Sequence, residues 1–186
     1  MRVAIFASGN GTNFEVLAKE FEKRNIPGKL VLLFCDHPDA PVVKRALRHD
    51  VPVETFTFSS CQDKRDYENK ISQVLDKYQV DFIVLAGYMR VIGKELVSPY
   101  EHRIINLHPA YLPNYPGLNS IKRAFEAGDR QTGVTIHYVD EGLDSGPIIA
   151  QQHVEIKPDD TLAELETRVH QCEHRLYPET LKKLLD

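Results

Sequence analysis

The sequence lacks the features that mark several large classes of protein. Its three cysteines, Cys35, Cys61 and Cys172, are far apart and form no Cys-X-X-Cys pair, which is typical of reduced thiols. No apolar run approaches the roughly 20 residues needed to cross a membrane. The apolar run after Arg2 is also too short for the core of a signal peptide. We therefore expect a cytoplasmic protein that does not bind membranes.

An excess of charge of one sign is also missing. The chain carries 23 basic and 27 acidic residues, a formal net charge of −4, and no basic stripe. Proteins whose main ligand is nucleic acid usually carry a basic patch, so we expect no nucleic-acid partner. With 186 residues and no repeat, linker or low-complexity segment, the chain fits a single domain over residues 1–186. The oligomeric state stays open, a homodimer included.

Apolar runs alternate with amphipathic segments of helical length. The runs are Val3–Ala7, Leu30–Cys35, Val51–Phe56, Phe82–Ala86 and Ile104–Leu107. Helical periodicity covers Phe14–Phe21, Ala40–His49 and Asp63–Tyr78. Further along, Thr132–Val139 and Ile148–Ile156 are extended, and Thr161 opens a helix with a capping box. Strands that alternate with helices predict an α/β domain with a mainly parallel sheet.

The first predicted strand runs into Ser8-Gly9-Asn10-Gly11-Thr12-Asn13, and a helix follows. Glycines allow a tight turn, and a helix N-terminus offers free N–H groups, so this loop suits a phosphate. Thr12 and Asn13 would bind the phosphate or only cap the helix. A nicotinamide site is the rival, with Asp36 as its ribose ligand. The dinucleotide fingerprint, however, needs glycine where Phe14 stands, and no GxxxxGK[ST] motif is present. A phosphomonoester therefore fits better.

Two polar side chains, Asn106 and His108, end the fifth predicted strand. Residues two apart on a strand point to the same side, and ligands bind at the carboxyl ends of such strands. We expect Asn106 and His108 to converge on one reacting atom. Asp144, in the acidic loop that follows the next extended segment, would neighbour His108 and favour its protonated ring. An imidazolium beside an amide donor stabilises an oxyanion.

No serine or cysteine stands in a nucleophile elbow, so the sequence favours acyl transfer without a covalent enzyme intermediate. Two other classes stay in view. His108, His137 and Asp144 could form a metal site, although His137 is favoured as a supporting core histidine and we expect no metal. A small-molecule binder without turnover is the other class.

Four motifs, in order along nearly the whole chain, carry a specific resemblance. They are SGNGTN from Ser8, AGYMR from Ala86, NLHPAYLPNYPG from Asn106 and EGLDSGP from Glu141. Together they resemble the folate-dependent phosphoribosylglycinamide formyltransferases. The resemblance implies a Rossmann-like three-layer α/β domain with a mixed, mostly parallel sheet. It also implies transfer of a formyl group from 10-formyltetrahydrofolate, as co-substrate, to the amine of phosphoribosylglycinamide in purine biosynthesis.

The same resemblance implies roles for individual residues. Asn106, His108 and Asp144 are the implied catalytic trio. The implied ribonucleotide-binding residues are Gly11, Thr12, Asn13, His170 and Glu173, with His170 standing where related chains often carry Gln. The implied folate-binding residues are Lys64, Met89, Arg90, Val91, Ile92, Asp140, Glu141, Gly142 and Leu143. A formyltetrahydrofolate hydrolase and formyltransferases for other amines share the trio and remain alternatives, but the phosphate loop and Tyr115-Pro116-Gly117 favour the ribonucleotide enzyme.

Overall fold

Seven strands and six α-helices make up the computed structural model, which describes all residues from Met1 to Asp186. The strands are β1 Arg2–Ala7, β2 Lys29–Cys35, β3 Val53–Thr55, β4 Phe82–Leu85, β5 Ile104–His108, β6 Gln131–Tyr138 and β7 Ile148–Glu155. The helices are α1 Thr12–Glu22, α2 Pro41–Arg48, α3 Lys64–Lys77, α4 Lys94–Val97, α5 Ser120–Glu126 and α6 Leu162–Leu185. None of the helices combines the length and the apolar character that a bilayer crossing requires.

The strands form one sheet in the order β3-β2-β1-β4-β5-β6-β7. Strands β1 to β5 are mutually parallel, whereas β6 pairs antiparallel with β5 and β7 antiparallel with β6. This confirms the predicted α/β domain with a mixed, mostly parallel sheet. The order of strands reverses between β1 and β4, and such a switch point leaves a crevice at the carboxyl ends. The loops after β1 and β4 open there, beside the end of β5.

Apolar side chains cover both faces of the sheet, because buried parallel strands are apolar on both sides. On one face, Ile5 of β1 belongs to a core that includes Phe14 of α1 and Leu165 of α6. On the other, Phe6 packs in a second core with Tyr67 of α3. The helices thus form two outer layers, as the three-layer expectation requires.

Two sets of boundaries differ from the sequence prediction. The predicted strand Val51–Phe56 contracts to β3. The Val51 amide bonds to the Ala46 carbonyl of α2 at 3.0 Å, so Val51 belongs to the turn after that helix, and Pro52 has no N–H to donate to the sheet. The sequence pattern also missed α4 and α5, which span only 4 and 7 residues and are too short to show helical periodicity. The capping box that opens α6 is confirmed, with the Glu164 amide donating to Thr161 Oγ1 at 3.2 Å.

Candidate active site

Asn106 and His108 lie on β5, and both side chains contact Asp144. Asn106 Nδ2 lies 3.4 Å from Asp144 Oδ1, and His108 Nδ1 lies 3.4 Å from Asp144 Oδ2. The alternation along β5 turns the two strand residues to one side, while the loop between β6 and β7 brings the carboxylate back to them. The structure therefore places the three side chains of the expected trio together.

Asp144 is held as an ionised group. Its backbone has a φ of 51°, and its Oδ2 atom accepts the Gly117 amide at 2.8 Å. Burial alone would raise the pKa of Asp144, but hydrogen bonds from His137 and Gly117 and the charge of His108 outweigh burial. The pKa of Asp144 consequently lies below its usual value. The site thus contains a fixed negative charge beside His108.

His108 is bound at both ring nitrogens. Its Nε2 atom donates to the Tyr115 carbonyl at 2.8 Å, while Nδ1 faces the Asp144 carboxylate. The Tyr115 hydroxyl in turn donates to Asp129 Oδ2 at 2.7 Å, which fixes the segment that supplies this carbonyl. Because both partners are acceptors, a doubly protonated ring satisfies both. The geometry therefore suits a cation at this position.

His137 stands opposite Asn106 in the register of β5 and β6. Its Nδ1 atom donates to the Tyr138 carbonyl at 2.8 Å, and its Nε2 atom lies 3.4 Å from Asn106 Nδ2 and 3.5 Å from Asp144 Oδ1. It is buried and supports two members of the trio. No group of three or more His, Cys, Asp or Glu side chains is arranged to hold a metal ion. The expected absence of a metal stays a prediction.

The loop after β1 leads through Gly11 into the first turn of α1. Gly11 precedes the helix with a φ of 76°, and a Cβ atom there would lie 2.3 Å from Val42 Cγ2, so only glycine fits. Neither Thr12 nor Asn13 caps the helix through its side chain. The first backbone bond of α1 runs from the Glu15 N–H to the Gly11 carbonyl. The N–H groups of the first turn are thus not used by the helix and can bind an anion.

Residues from the two ends of the chain meet beside this loop. Asn13 Nδ2 donates to Glu173 Oε2 at 3.0 Å, and His170 Nδ1 lies 3.0 Å from the same oxygen. The hydrogen bond to Glu173 raises the pKa of His170. Asn13 Oδ1 is buried and accepts no hydrogen bond from the chain. Three of the residues expected to bind the ribonucleotide are therefore in contact, with one acceptor left for a ligand.

A cavity of about 320 Å³ opens behind the loop that follows β4. Five residues expected to bind folate line it: Lys64, Met89, Arg90, Val91 and Ile92. Phe58, Tyr67, Glu68, Ile71, Tyr88 and Leu96 complete the lining. A cavity of this size with mostly apolar walls and a few cations suits an aromatic ligand with acidic groups.

The other four residues expected to bind folate lie outside this cavity. The segment 140–143 does not line the cavity but forms a turn in which Asp140 Oδ1 accepts from the Gly142 amide at 2.9 Å and from Ser145 Oγ at 2.8 Å. Leu143 is exposed beside Gly117, next to the trio. The structure thus separates the expected folate residues into a cavity group and a loop group.

Comparisons with known proteins give the family. The profile of the formyl transferase family matches residues 1–181. The phosphoribosylglycinamide formyltransferase of Bacillus subtilis (strain 168) is 45% identical over 184 residues, which cover 99% of this chain and 94% of that protein. The protein of the same name from Escherichia coli (strain K12) is 33% identical over 178 residues, 96% of this chain and 84% of that one. The chain belongs to the formyl transferase family.

Solved structures agree with this family. The crystal structure of phosphoribosylglycinamide formyltransferase from Bacillus halodurans matches with a TM-score of 0.98 at 49% identity, covering 100% of this chain and 96% of that chain. The motif resemblance is thereby confirmed, and the chain is a transferase. The alternative of a binder without turnover is correspondingly disfavoured.

Asp36, considered above as the ribose ligand of a nicotinamide site, has a different position in this formyl transferase. Its carboxylate is buried and accepts from Ser8 Oγ at 2.6 Å and from Arg90 Nε at 3.1 Å. Asp36 therefore faces the protein interior, where its carboxylate is bound by other side chains of the chain.

Sequence reasoning missed the Tyr115 carbonyl as a support of the trio, and it expected His137 only as a supporting core histidine. The Tyr115 carbonyl gives no signal in a side-chain pattern. The contact of His137 with Asn106 follows from the register of β5 and β6, so recognition of the antiparallel pairing would have revealed it.

Proposed function

We propose that this formyl transferase moves the formyl group of 10-formyltetrahydrofolate to the amine of phosphoribosylglycinamide, a cytoplasmic step of de novo purine synthesis. One observation carries the proposal. The cluster of Asn106, His108 and Asp144 stands at the same edge of the sheet as an anion-binding helix start and an apolar, aromatic cavity. The names of the most similar relatives point to the same substrate.

The anion site receives the phosphate of the ribonucleotide. The free N–H groups of the first turn of α1, with Gly11 allowing close approach, bind a phosphomonoester. Glu173 is buried and acceptor-only, so it binds ribose hydroxyl groups. Asn13 Nδ2 donates to Glu173 Oε2 and keeps that carboxylate in place. This placement directs the amine of the substrate toward the carboxyl end of β5.

The cavity receives the reduced folate. Ile71, Ile92 and Leu96 offer apolar walls for a ring system. Lys64 Nζ, on a side chain that is 53% exposed, stands at the rim and pairs with an acidic tail. Leu143 and its neighbours in the segment 140–143 cover the folate from the side of Gly117. The formyl carbon then lies between the two substrate sites.

The neutral amine attacks the formyl carbon directly. A carbon–nitrogen bond forms to the amine, the carbonyl oxygen becomes an oxyanion, and the bond to the folate nitrogen then breaks. Asn106 donates Nδ2–H to the oxyanion, for which its long contacts of 3.4 Å with Asp144 and His137 leave it available. His108 acts chiefly as a cation. Asp144 maintains that charge, and a water relays the proton of the amine to the departing folate nitrogen.

An assay of tetrahydrofolate release tests the proposal. The protein is mixed with 10-formyltetrahydrofolate alone, with phosphoribosylglycinamide added, and with a glycinamide riboside that lacks the phosphate. We expect rapid release only with the phosphorylated amine. Release that needs no amine would identify a formyltetrahydrofolate hydrolase instead. Equal rates with and without the phosphate would remove the role of the α1 anion site.

A further inference from the structure

A buried carboxylate that the proposed mechanism does not use connects the two substrate loops. Asp36 follows β2, and its side chain is 1% exposed. Ser8, the first residue of the phosphate loop, donates its hydroxyl to Asp36 Oδ1 at 2.6 Å. Arg90, in the folate-binding segment, donates Nε to Asp36 Oδ2 at 3.1 Å. Each carboxylate oxygen therefore holds a different loop.

The hydroxyl of Ser8 extends this connection. While it donates to Asp36, it accepts the backbone N–H of Met89 at 2.9 Å. The Ser8 amide also donates to the Gly87 carbonyl at 3.1 Å. The loop after β1 and the loop after β4 are consequently joined directly to each other, and both are joined to Asp36.

The charge of Asp36 makes this connection strong. Burial of a carboxylate costs free energy unless it is paired and hydrogen-bonded. The Asp36 carboxylate therefore keeps Ser8 and Arg90 in place as its hydrogen-bond donors. Arg90 is the paired cation, and its guanidinium also stacks 4.6 Å from the centre of the Phe58 ring, a wall of the folate cavity. Loss of the charge would release Ser8 and Arg90 together.

We propose that Asp36 is a positioning residue that holds the phosphate loop and the folate loop in their binding geometry at the same time. This inference rests on the proposed function for the identity of the two ligands. Asp36 itself touches neither substrate. One buried side chain therefore sets the affinity for both substrates, through Ser8 on one side and through Met89 and Arg90 on the other.

The decisive variant is Asp36→Asn, which keeps the shape and removes the charge. Loss of a charge-assisted hydrogen bond on each side raises KM for the ribonucleotide and for the folate, each by about ten-fold or more, with a smaller change in kcat. His37 also contacts Asp36 Oδ1 at 3.0 Å, from a side chain that is 60% exposed, and it belongs to neither loop. The matched control is Asp39→Asn, which makes the same change at an exposed carboxylate. We expect that control to keep both KM values.

A second readout does not depend on the identity of the substrates. Hydrogen–deuterium exchange of the free protein reports the protection of residues 9–13 and of residues 88–92. In Asp36→Asn both segments exchange faster than in the wild type, whereas Asp39→Asn leaves both unchanged. If the wild type itself shows no formyl transfer, the proposed function fails, and exchange still decides whether Asp36 joins the loops.

Three results would overturn the inference. They are unchanged KM values in folded Asp36→Asn, a change confined to one substrate, and faster exchange in only one segment. If Asp36→Asn does not fold, Ser8→Ala removes the hydroxyl that joins Asp36 to Met89 and should raise both KM values. Ser8→Thr keeps the hydroxyl and should restore them. Equal kinetics of the alanine and threonine variants would then contradict the proposal.

Discussion

His108 Nδ1 lies 3.4 Å from Asp144 Oδ2, and both side chains are more than nine-tenths buried. The opposite nitrogen of the same ring donates to the Tyr115 carbonyl. His108 is therefore fixed between a carboxylate and a carbonyl, which are both hydrogen-bond acceptors. This relationship makes His108 an electrostatic stabiliser in the proposed reaction and gives Asp144 the task of maintaining its charge.

Asp144→Asn should remove most of the activity while the fold stays intact. The substitution keeps the shape but takes away the charge that faces His108, so we expect kcat to fall by roughly 10²-fold or more. His108→Ala should have a similar effect. Steady-state kinetics and thermal unfolding measure the two parts of this prediction. Asp159→Asn, at an exposed position, is the control. Near-wild-type turnover of either site variant would refute these roles.

Asn106→Ala tests the amide donor. Removal of one donor to an oxyanion costs about 3 kcal/mol, or on the order of 10²-fold in kcat. KM for both substrates should change less, because the interaction forms mainly in the transition state. Asn69→Ala, on an exposed position of α3, should change neither constant. A variant of Asn106 that lost only substrate affinity would show that the side chain binds rather than stabilises.

Gly11→Ala tests the close approach of the phosphate loop to α2. The added Cβ would meet Val42 Cγ2 at 2.3 Å, at a φ of 76°, so the loop must shift and KM for the ribonucleotide should rise. Gly128→Ala is the matched control, since Gly128 has a φ of 72° but open space around it. Both variants suffer backbone strain of about 1 kcal/mol. Val42→Gly added to Gly11→Ala removes both close side-chain contacts, at 2.3 and 2.6 Å, and should recover part of the affinity. No recovery would argue against the clash.

His170 should give the fold a pH dependence. Its hydrogen bond to Glu173 raises the pKa of His170 in the folded protein. Its contribution to stability is therefore complete below the unfolded pKa of about 6.5 and is lost as the pH rises through the folded value. The difference in free energy of unfolding between the wild type and His170→Gln should shrink over that window. His153→Gln, an exposed control, should show no such trend. A difference that is constant with pH would contradict the pairing.

The sequence alone predicted the sheet well because its strands are buried on both faces. Strands such as β1 and β2 appear as continuous apolar runs, which few helices of that length imitate. The sequence did not reveal the short helices α4 and α5, because one or two turns are too short to show helical periodicity. The third strand was predicted too long. Val51 and Phe56 are apolar because they pack against other side chains, and both lie outside the hydrogen-bonded part of the strand.

The site was predictable to the extent that it is local. Asn106 and His108 are two residues apart on one strand, so alternation alone places them together. Asp144 is 38 residues from Asn106, and only the fold brings it back. Asp36 is 28 residues from Ser8 and 54 from Arg90, and neither separation leaves a pattern in the sequence. Contacts of that kind depend on strand order, which propensity does not determine.

The fate of the formyl group tests the central claim most directly. The protein is incubated with 10-formyltetrahydrofolate labelled with carbon-13 in the formyl group and an equal amount of phosphoribosylglycinamide, and the products are identified by mass spectrometry. We predict that the label appears in the formylated ribonucleotide, with tetrahydrofolate released in equal amount. Label recovered as formate, with the ribonucleotide unchanged, would contradict the account.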